Sequence, residues 1–441
     1  MNNEYNKYTR NLDLSDLFFA GFGFIIGAGI FTLMPLIIKY GKGSSWLSFV
    51  VGGFVCLLTG LSYAKLNQEY PSNDAEYSWI YEILNFNKPD EKGEKAKPNI
   101  LVRGLANAII WIVMIIGLFN TATVAVGLSS FVTQYLNIPK TLMVASSIAL
   151  PSLINVLGNK YSTVFNKGIM SAVVGCFVVL MGLAGFKGSN FSENSVVPSS
   201  GDFSGILRSS FITIFAYNGF QSIVQLSEEA RNVSDIPKAI YSAIGTSTGL
   251  YATIAISVIA LLGIKTASNS VNPIASALDK LIPNSKIDYH FVNGLSSVAL
   301  FNTLMLIVLS RSRLLQKLSV RGLAPKVFSK LTNIGELLGI ENFKTEKNGE
   351  KEERVTIPIF AIVAVALVSF ALTFIKEGAI ESLATLTNSF IFIVFVIVHS
   401  LVIINHHKKN TEPSQLKKYP WYAVLGLALS GLYLVKGFSY N

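Results

Sequence analysis

Gly27, Ala28 and Gly29 lie in the middle of a long apolar run, and Asn218-Gly219 lies in the middle of another. Glycine in a helix interior is less favourable than alanine by about 1 kcal/mol, and Asn-Gly is a turn-type pair. Their positions predict that both runs are interrupted. An unwound turn bares peptide N–H and C=O groups, which survive in a membrane only where they line a cavity or are buried in protein. The N-terminal end of a half-helix suits a carboxylate. Unwound carbonyls and the C-terminal end of the other half suit an ammonium group or a cation. A site with both ends fits a zwitterion such as an α-amino acid. The competing reading is that glycine serves close helix packing, as it often does in membranes.

The elements that must position these residues follow from composition. The 441-residue chain is 51% hydrophobic and 14% charged, with a mean hydropathy of +0.49. A soluble domain carries roughly 25% charged residues. Eleven apolar segments are spanning candidates: about 14–39, 46–66, 103–135, 140–158, 166–186, 206–228, 238–263, 290–310, 356–376, 379–404 and 419–437. The expectation is one all-α, polytopic membrane domain over residues 1–441. No small-residue cleavage site follows the first run, so a removable signal peptide is not expected. Cys56 and Cys176 fall inside spans and read as buried free thiols. The net charge of +10 is concentrated in alternate loops. That is the positive-inside pattern rather than a nucleic-acid surface. It predicts a cytoplasmic N-terminus, and the expected location is the plasma membrane. With four His, two Cys and no HExxH motif, neither a metal site nor a nucleophile–base pair is evident. An enzyme is therefore not expected, and neither is a cofactor.

Interruptions in the first and sixth spans match two five-helix halves in inverted orientation, about 14–186 and about 206–404, with 419–437 an additional helix. The polar stretches 87–99 and 341–354 read as charged insertions. "NPIASALDKLI" predicts a short surface helix, and Asn190 begins a glycosylation triplet. Asp16, Arg208 and Glu381 sit near span ends, so no carboxylate is expected at the midplane. That favours neutral substrates. His399 is the one deep residue with an ordinary pKa suited to proton coupling, and it equally reads as a packing histidine. A sodium site would take carbonyls of the first span and hydroxyls of the eighth, for which Ser296, Ser297 and Thr303 are available. The coupling ion is left as H+ or Na+.

Four motifs carry a resemblance. "GFIIGAGIFTLMP" (23–35) resembles the first-helix motif of the amino acid–polyamine–organocation (APC) superfamily. "FAYNGFQSIVQLSEEARNVSDIPKAI" (215–240) resembles its sixth helix and following loop. "YAKLNQEYPSNDAEYSWIYE" (63–82) and "RSRLLQKLSVRGLAPKVFSK" (311–330) resemble the segments after its second and eighth helices. The resemblance implies a LeuT-type 5+5 inverted repeat with about eleven transmembrane helices, the first and sixth discontinuous. It also implies secondary transport of amino acids by alternating access. On it, Ile26, Gly27, Ala28, Gly29 and Ile30 face the substrate carboxylate, and Phe215, Ala216, Tyr217, Asn218 and Gly219 face the amino group. Phe215 is then an aromatic gate, and Glu228 and Glu229 are gating or structural partners of Arg231 or Lys238.

The sequence departs from that pattern at several points. Asp74-Ala75 stands where Gly-Gly is usual, and the eleventh span is not followed by a twelfth. Val173 stands where some members carry a lysine, and Gln221 where several carry an acid. A carrier of cationic amino acids or polyamines remains an alternative, as does a non-transporting amino acid sensor with a transporter fold. The expected partners are a small amino acid and the lipid bilayer, with no nucleic acid; oligomeric state is left open.

Overall fold

The computed structural model describes residues 12–85, 99–157, 162–186, 203–227, 229–282, 289–333, 356–375, 379–409 and 419–440. The stretch 341–354, nearly all of 87–99, Glu228 and Asn190 lie outside the described residues. Each of the eleven apolar segments falls on a helix. These are α1 (Leu14–Gly41), α2 (Ser45–Glu69), the short α3 (Ala75–Leu84), α4 (Ile100–Val132), α5 (Lys140–Leu157) and α6 (Ser162–Phe186). They continue with α7 (Phe203–Tyr217), α8 (Gln221–Val224), α9 (Asp235–Leu262), α10 (Ile264–Asn269) and α11 (Pro273–Leu281). The last four are α12 (Tyr289–Val320), α13 (Ile359–Leu372), α14 (Ile380–Lys409) and α15 (Trp421–Tyr440). Two two-residue strands, Thr332–Asn333 and Thr356–Ile357, pair antiparallel between α12 and α13. Five helical stretches, beginning at Gly29, Ile100, Asp235, Tyr289 and Ile380, are long and apolar enough to cross a bilayer. The chain is an all-α, multi-pass integral membrane protein.

Large apolar side chains stand exposed on the outer faces of the described helices. Leu142 and Leu153 on α5, Val178 on α6, Leu367 on α13 and Val435 on α15 are all exposed, as residues that meet acyl chains should be. Lipid is as apolar as leucine, so helices in it associate through close fit and interior hydrogen bonds. The α1–α7 seam shows that fit. The two helices run antiparallel along their whole length. Tyr40 of α1 meets Gly205, Gly29 meets Ala216, Phe24 meets Gly219, and Gly21 meets Ile223 of α8. At the N-terminal end, Leu12 and the 229–231 segment exchange two backbone hydrogen bonds, from Leu12 N–H to Glu229 O and from Arg231 N–H to Leu12 O.

One expectation is corrected. The first helix is not interrupted: α1 is one helix from Leu14 to Gly41 and carries Gly27, Ala28 and Gly29 in its interior. The reason is packing. A methyl group on Gly29 would come within 2.0 Å of Ala216 Cα, and one on Gly27 within 1.5 Å of Thr303 Oγ1 on α12. The glycines let α7 and α12 approach the backbone of α1. The "NPIASALDKLI" stretch forms a short helix, α11, with Asp279 and Lys280 exposed and its apolar face turned inward. Ile274, Ala275, Ala277 and Leu278 are fully buried, because α11 packs on α9 and α12.

Candidate functional site

The sixth span is interrupted as its sequence predicts. α7 ends at Tyr217, residues 218–220 form a turn, and α8 resumes at Gln221. Gly219 has φ +147° and lies against Phe24, where a Cβ would come within 2.6 Å of the Phe24 Cβ. Only glycine takes that backbone freely. The side-chain oxygen of Gln221 accepts from the Gly219 N–H at 3.0 Å, across the break. Asn218 N–H bonds back to the Phe215 carbonyl.

The last carbonyls of α7 have no helical partner beyond the break. Tyr251 of α9 serves this end. Its hydroxyl is 2.7 Å from the Ile25 carbonyl of α1 and 3.3 Å from the Ala216 carbonyl of α7. Tyr217 turns away to donate to the Phe49 carbonyl on α2. Ile26, Gly27, Gly29 and Ile30 are buried on α1, and Phe215, Ala216, Tyr217 and Gly219 are buried beside them. Asn218 is partly exposed to a cavity. The structure thus brings the two predicted halves of the site together as facing segments. The peptide N–H groups of residues 27–30 lie within a continuous helix, not at a free half-helix end.

The cavity lies against the α8 side of the break and spans toward α3. Phe24, Asn218, Gly219, Gln221, Ser222 and Gln225 line one wall. Tyr63 of α2, Glu76 of α3, Asn120 of α4 and Arg311 of α12 line the other. The space open to the centre of a water-sized sphere is about 30 Å³, room for a few waters. Glu76 is 3% exposed and accepts from the Tyr63 hydroxyl at 2.8 Å. The Arg311 side chain crosses Gly117 of α4, where a Cβ would come within 2.1 Å of its Cδ. Its Nη1 donates to the Val113 carbonyl at 3.1 Å. Arg311 Nε and Asn120 Oδ1 are buried without a partner among the described residues.

Glu76 and Arg311 are functional candidates that hydropathy does not reveal, because Glu76 falls in the polar stretch after the second span and Arg311 just past the end of the eighth. One signal was available. In "AEYSWIYEIL", Glu76 stands on the same helical stripe as Trp79, Ile80 and Ile83, all buried. A carboxylate on the apolar stripe of a helix is unusual enough to mark a site.

The other predicted residues find different partners. His399 is fully buried, with Nε2 3.1 Å from Thr59 Oγ1, Nδ1 2.8 Å from Ser62 Oγ, and Gly426 of α15 against its ring. It joins α14 to α2. Ser296 donates to the Val292 carbonyl and receives a bond from Asn272, and Ser297 donates to the Asn293 carbonyl. The α12 hydroxyl against α1 is that of Thr303, 3.4 Å from the Gly23 carbonyl. Val173 is buried and apolar, part of the main core. Glu229 pairs with Arg313 at 3.9 Å rather than with Arg231 or Lys238, and Lys238 pairs with Asp235 at 3.0 Å. At the opposite end, Glu381 takes bonds from Tyr40 and Arg208 at 2.6 and 2.8 Å. No cluster of three or more His, Cys, Asp or Glu suited to a metal ion occurs among the described residues.

Comparison with known proteins agrees with this architecture. A family model described as "Amino acid permease" matches residues 12–440. The chain is 27% identical to a methylthioribose transporter of Bacillus subtilis, over 96% of this chain and 87% of that protein. It is 24% identical to the branched-chain amino acid permease BcaP of the same organism, over 73% and 70%. It is 22% identical to mouse cationic amino acid transporter 4, over 92% of this chain but only 61% of that longer protein.

Proposed function

The chain belongs to the amino acid permease family, and on that premise we propose that it is a secondary transporter of amino acids working by alternating access. The proposed frame is a 5+5 inverted repeat of about residues 14–186 and 206–404, with 419–437 additional. The proposed substrate site is the seam between Ile26–Ile30 on α1 and Phe215–Gly219 at the end of α7 and the turn after it, with Phe215 closing over it. One observation carries this reading. A helix interruption at 218–220 is held in the protein interior, against α1 and beside a polar cavity. Broken backbone persists at membrane depth only in such a place. The seam is closed here, with Gly29 against Ala216. On this reading, substrate binding takes place when α1 parts from α7, and the peptide groups at the break then meet the amino and carboxylate ends.

Neutral substrates are favoured. The carboxylate on the cavity wall, Glu76, already has Tyr63 and Arg311 beside it, so a cationic side chain would find no spare negative charge. The relatives divide on this point, one named for branched-chain and another for cationic amino acids, so cationic or polyamine transport is the alternative. The proposed setting is the plasma membrane with a cytoplasmic N-terminus.

The test is a thermal-shift panel of twenty amino acids, polyamines and methylthioribose on purified protein, followed by flux in liposomes. Stabilisation by neutral amino acids and their saturable counterflow are expected, since a ligand bound by the folded state raises its stability. Stabilisation without flux would instead assign a sensor. Stabilisation by lysine or putrescine alone would assign the cationic alternative.

A further inference from the structure

The buried acid on the cavity wall has no role in the seam just described, and it lies where a transporter would need a charge that can come and go. Glu76 occupies the buried stripe of α3, accepts from Tyr63, and borders a cavity large enough for water. Arg311 borders the same cavity, and a single carbonyl, that of Val113, satisfies its Nη1 while its Nε–H is unpartnered among the described residues. Asn120 Oδ1, on a residue 7% exposed, lacks a partner in the same space. An unpartnered donor and an unpartnered acceptor facing one small polar cavity are the mark of bound water. Water is what a proton needs to reach a buried carboxylate.

We propose that Glu76 is the proton-binding site of this transporter, loaded through the hydrated cavity and read by Arg311. The proposal rests on the transport function argued above. One proton joins the Glu76 carboxylate from cavity water and later returns to water; no electrons move. With Glu76 ionised, its charge compensates the guanidinium and Tyr63 donates to it. With Glu76 protonated, Arg311 stays positive with the Val113 carbonyl as its hydrogen-bond partner, and a buried unpaired charge is strongly unfavourable. The balance then favours an arrangement in which Arg311 turns to water or to a substrate carboxylate. Arg311 is on α12, about two turns from Thr303, which is wedged against Gly27 of α1. Protonation on α3 thereby bears on the contact that holds α1 closed.

The surroundings of Glu76 suit one titrating group. Burial pushes its carboxyl above the ordinary value, against the Tyr63 hydrogen bond and the Arg311 charge, which pull it down. From α4 the cavity receives Val113, Ile116 and Asn120, and from α14 Ile391 and Val394, none of which titrates. The other charges on or against α3 are engaged or outlying. Asp74 is paired to Arg321, Lys408 bonds the Ile83 and Asn85 carbonyls, Arg103 acts on Tyr77, and Glu82 is exposed.

The experiment uses the full chain in liposomes loaded with a pH-sensitive dye, with an equimolar mixture of the twenty amino acids, tritiated for flux, added outside. For wild type, proton influx accompanies amino acid influx. In Glu76→Gln the protons moved per amino acid fall at least tenfold. In Tyr63→Phe, which removes the bond to the ionised form, the midpoint of the pH–uptake curve moves to higher pH. This second variant keeps the test decisive if the first does not fold. An unchanged proton ratio in Glu76→Gln, or an unmoved midpoint in Tyr63→Phe, overturns the proposal. So does wild-type amino acid flux with no proton movement, which leaves the transport reading standing. Absence of any wild-type counterflow overturns both.

Discussion

Gly29 of α1 lies flat against Ala216 of α7, so close that a single added methyl group would fall within 2.0 Å of the Ala216 Cα and 2.2 Å of its Cβ. The clash is with backbone, which cannot swing aside. Gly29→Ala is therefore expected to destabilise this closed form by about 1–3 kcal/mol, the usual range for overpacking. If the α1–α7 seam opens during transport, an open form gains by the same substitution. A cysteine placed at Asn218 should then react faster with a water-soluble maleimide in the Gly29→Ala background than without it. Equal labelling rates would argue that the seam is static.

His399 is expected to matter for stability and not for coupling. Both ring nitrogens are bonded to hydroxyls of α2, and Gly426 presses on the ring. In His399→Ala the hydroxyls of Thr59 and Ser62 fall back on the carbonyls of their own helix. The loss should be about 1–3 kcal/mol from hydrogen bonds and the cavity left behind. The pH dependence of uptake should be unchanged. A shifted profile would put His399 on a proton path.

Asp74 is expected to hold the loop after α2 in place. Ser72 and Ser78 donate to its carboxylate, and Arg321 from the segment after α12 pairs with it while lying over the Tyr77 ring at 4.0 Å. The carboxylate is 8% exposed and the guanidinium 33%. Asp74→Ala and Arg321→Ala should each cost about 1–2 kcal/mol, less than a fully buried pair because Arg321 reaches solvent. Measured together by thermal unfolding, the two changes should cost less than the sum of each alone. Strict additivity would mean that the pair carries no energy.

The parts of this molecule that were legible in the sequence are those where one residue type has one physical use. Asn218-Gly219 predicts a break because a turn pair with a positive φ has no place in a continuous helix, and the break is there. Gly27 and Gly29 mislead because glycine permits both an unwound turn and a close approach, and neighbours far along the chain, Ala216 and Thr303, decide between them. The repeat of apolar runs locates the helices because lipid imposes their length. It says nothing of Glu76 and Arg311, whose place on one cavity depends on how α3 packs on α4 and α14. Asp74 reads as a departure from the resembled pattern in isolation and as the anchor of its loop once Ser72, Ser78 and Arg321 are placed around it.

Glu69, at the end of α2, gives the clearest pH prediction. Burial alone would raise its pKa, but hydrogen bonds from Lys409, Lys65 and Asn405 outweigh it and hold the carboxyl at about 2. The bond lengths are 2.7 Å from Lys409, 2.9 Å from Lys65 and 2.6 Å from Asn405. A folded-state pKa below the unfolded value means that the ionised form stabilises the fold. That contribution is fully present above about pH 4.5 and is lost as pH falls toward about 2. Both lysine side chains are about half exposed, so screening reduces the effect to about 1 kcal/mol. Glu69→Gln should therefore melt lower than wild type at pH 7, and the gap should close as the pH is lowered from 5 to 2. High salt at pH 7 should narrow it as well. A gap that is constant with pH would show that Glu69 acts through packing of its stem and not through its charge.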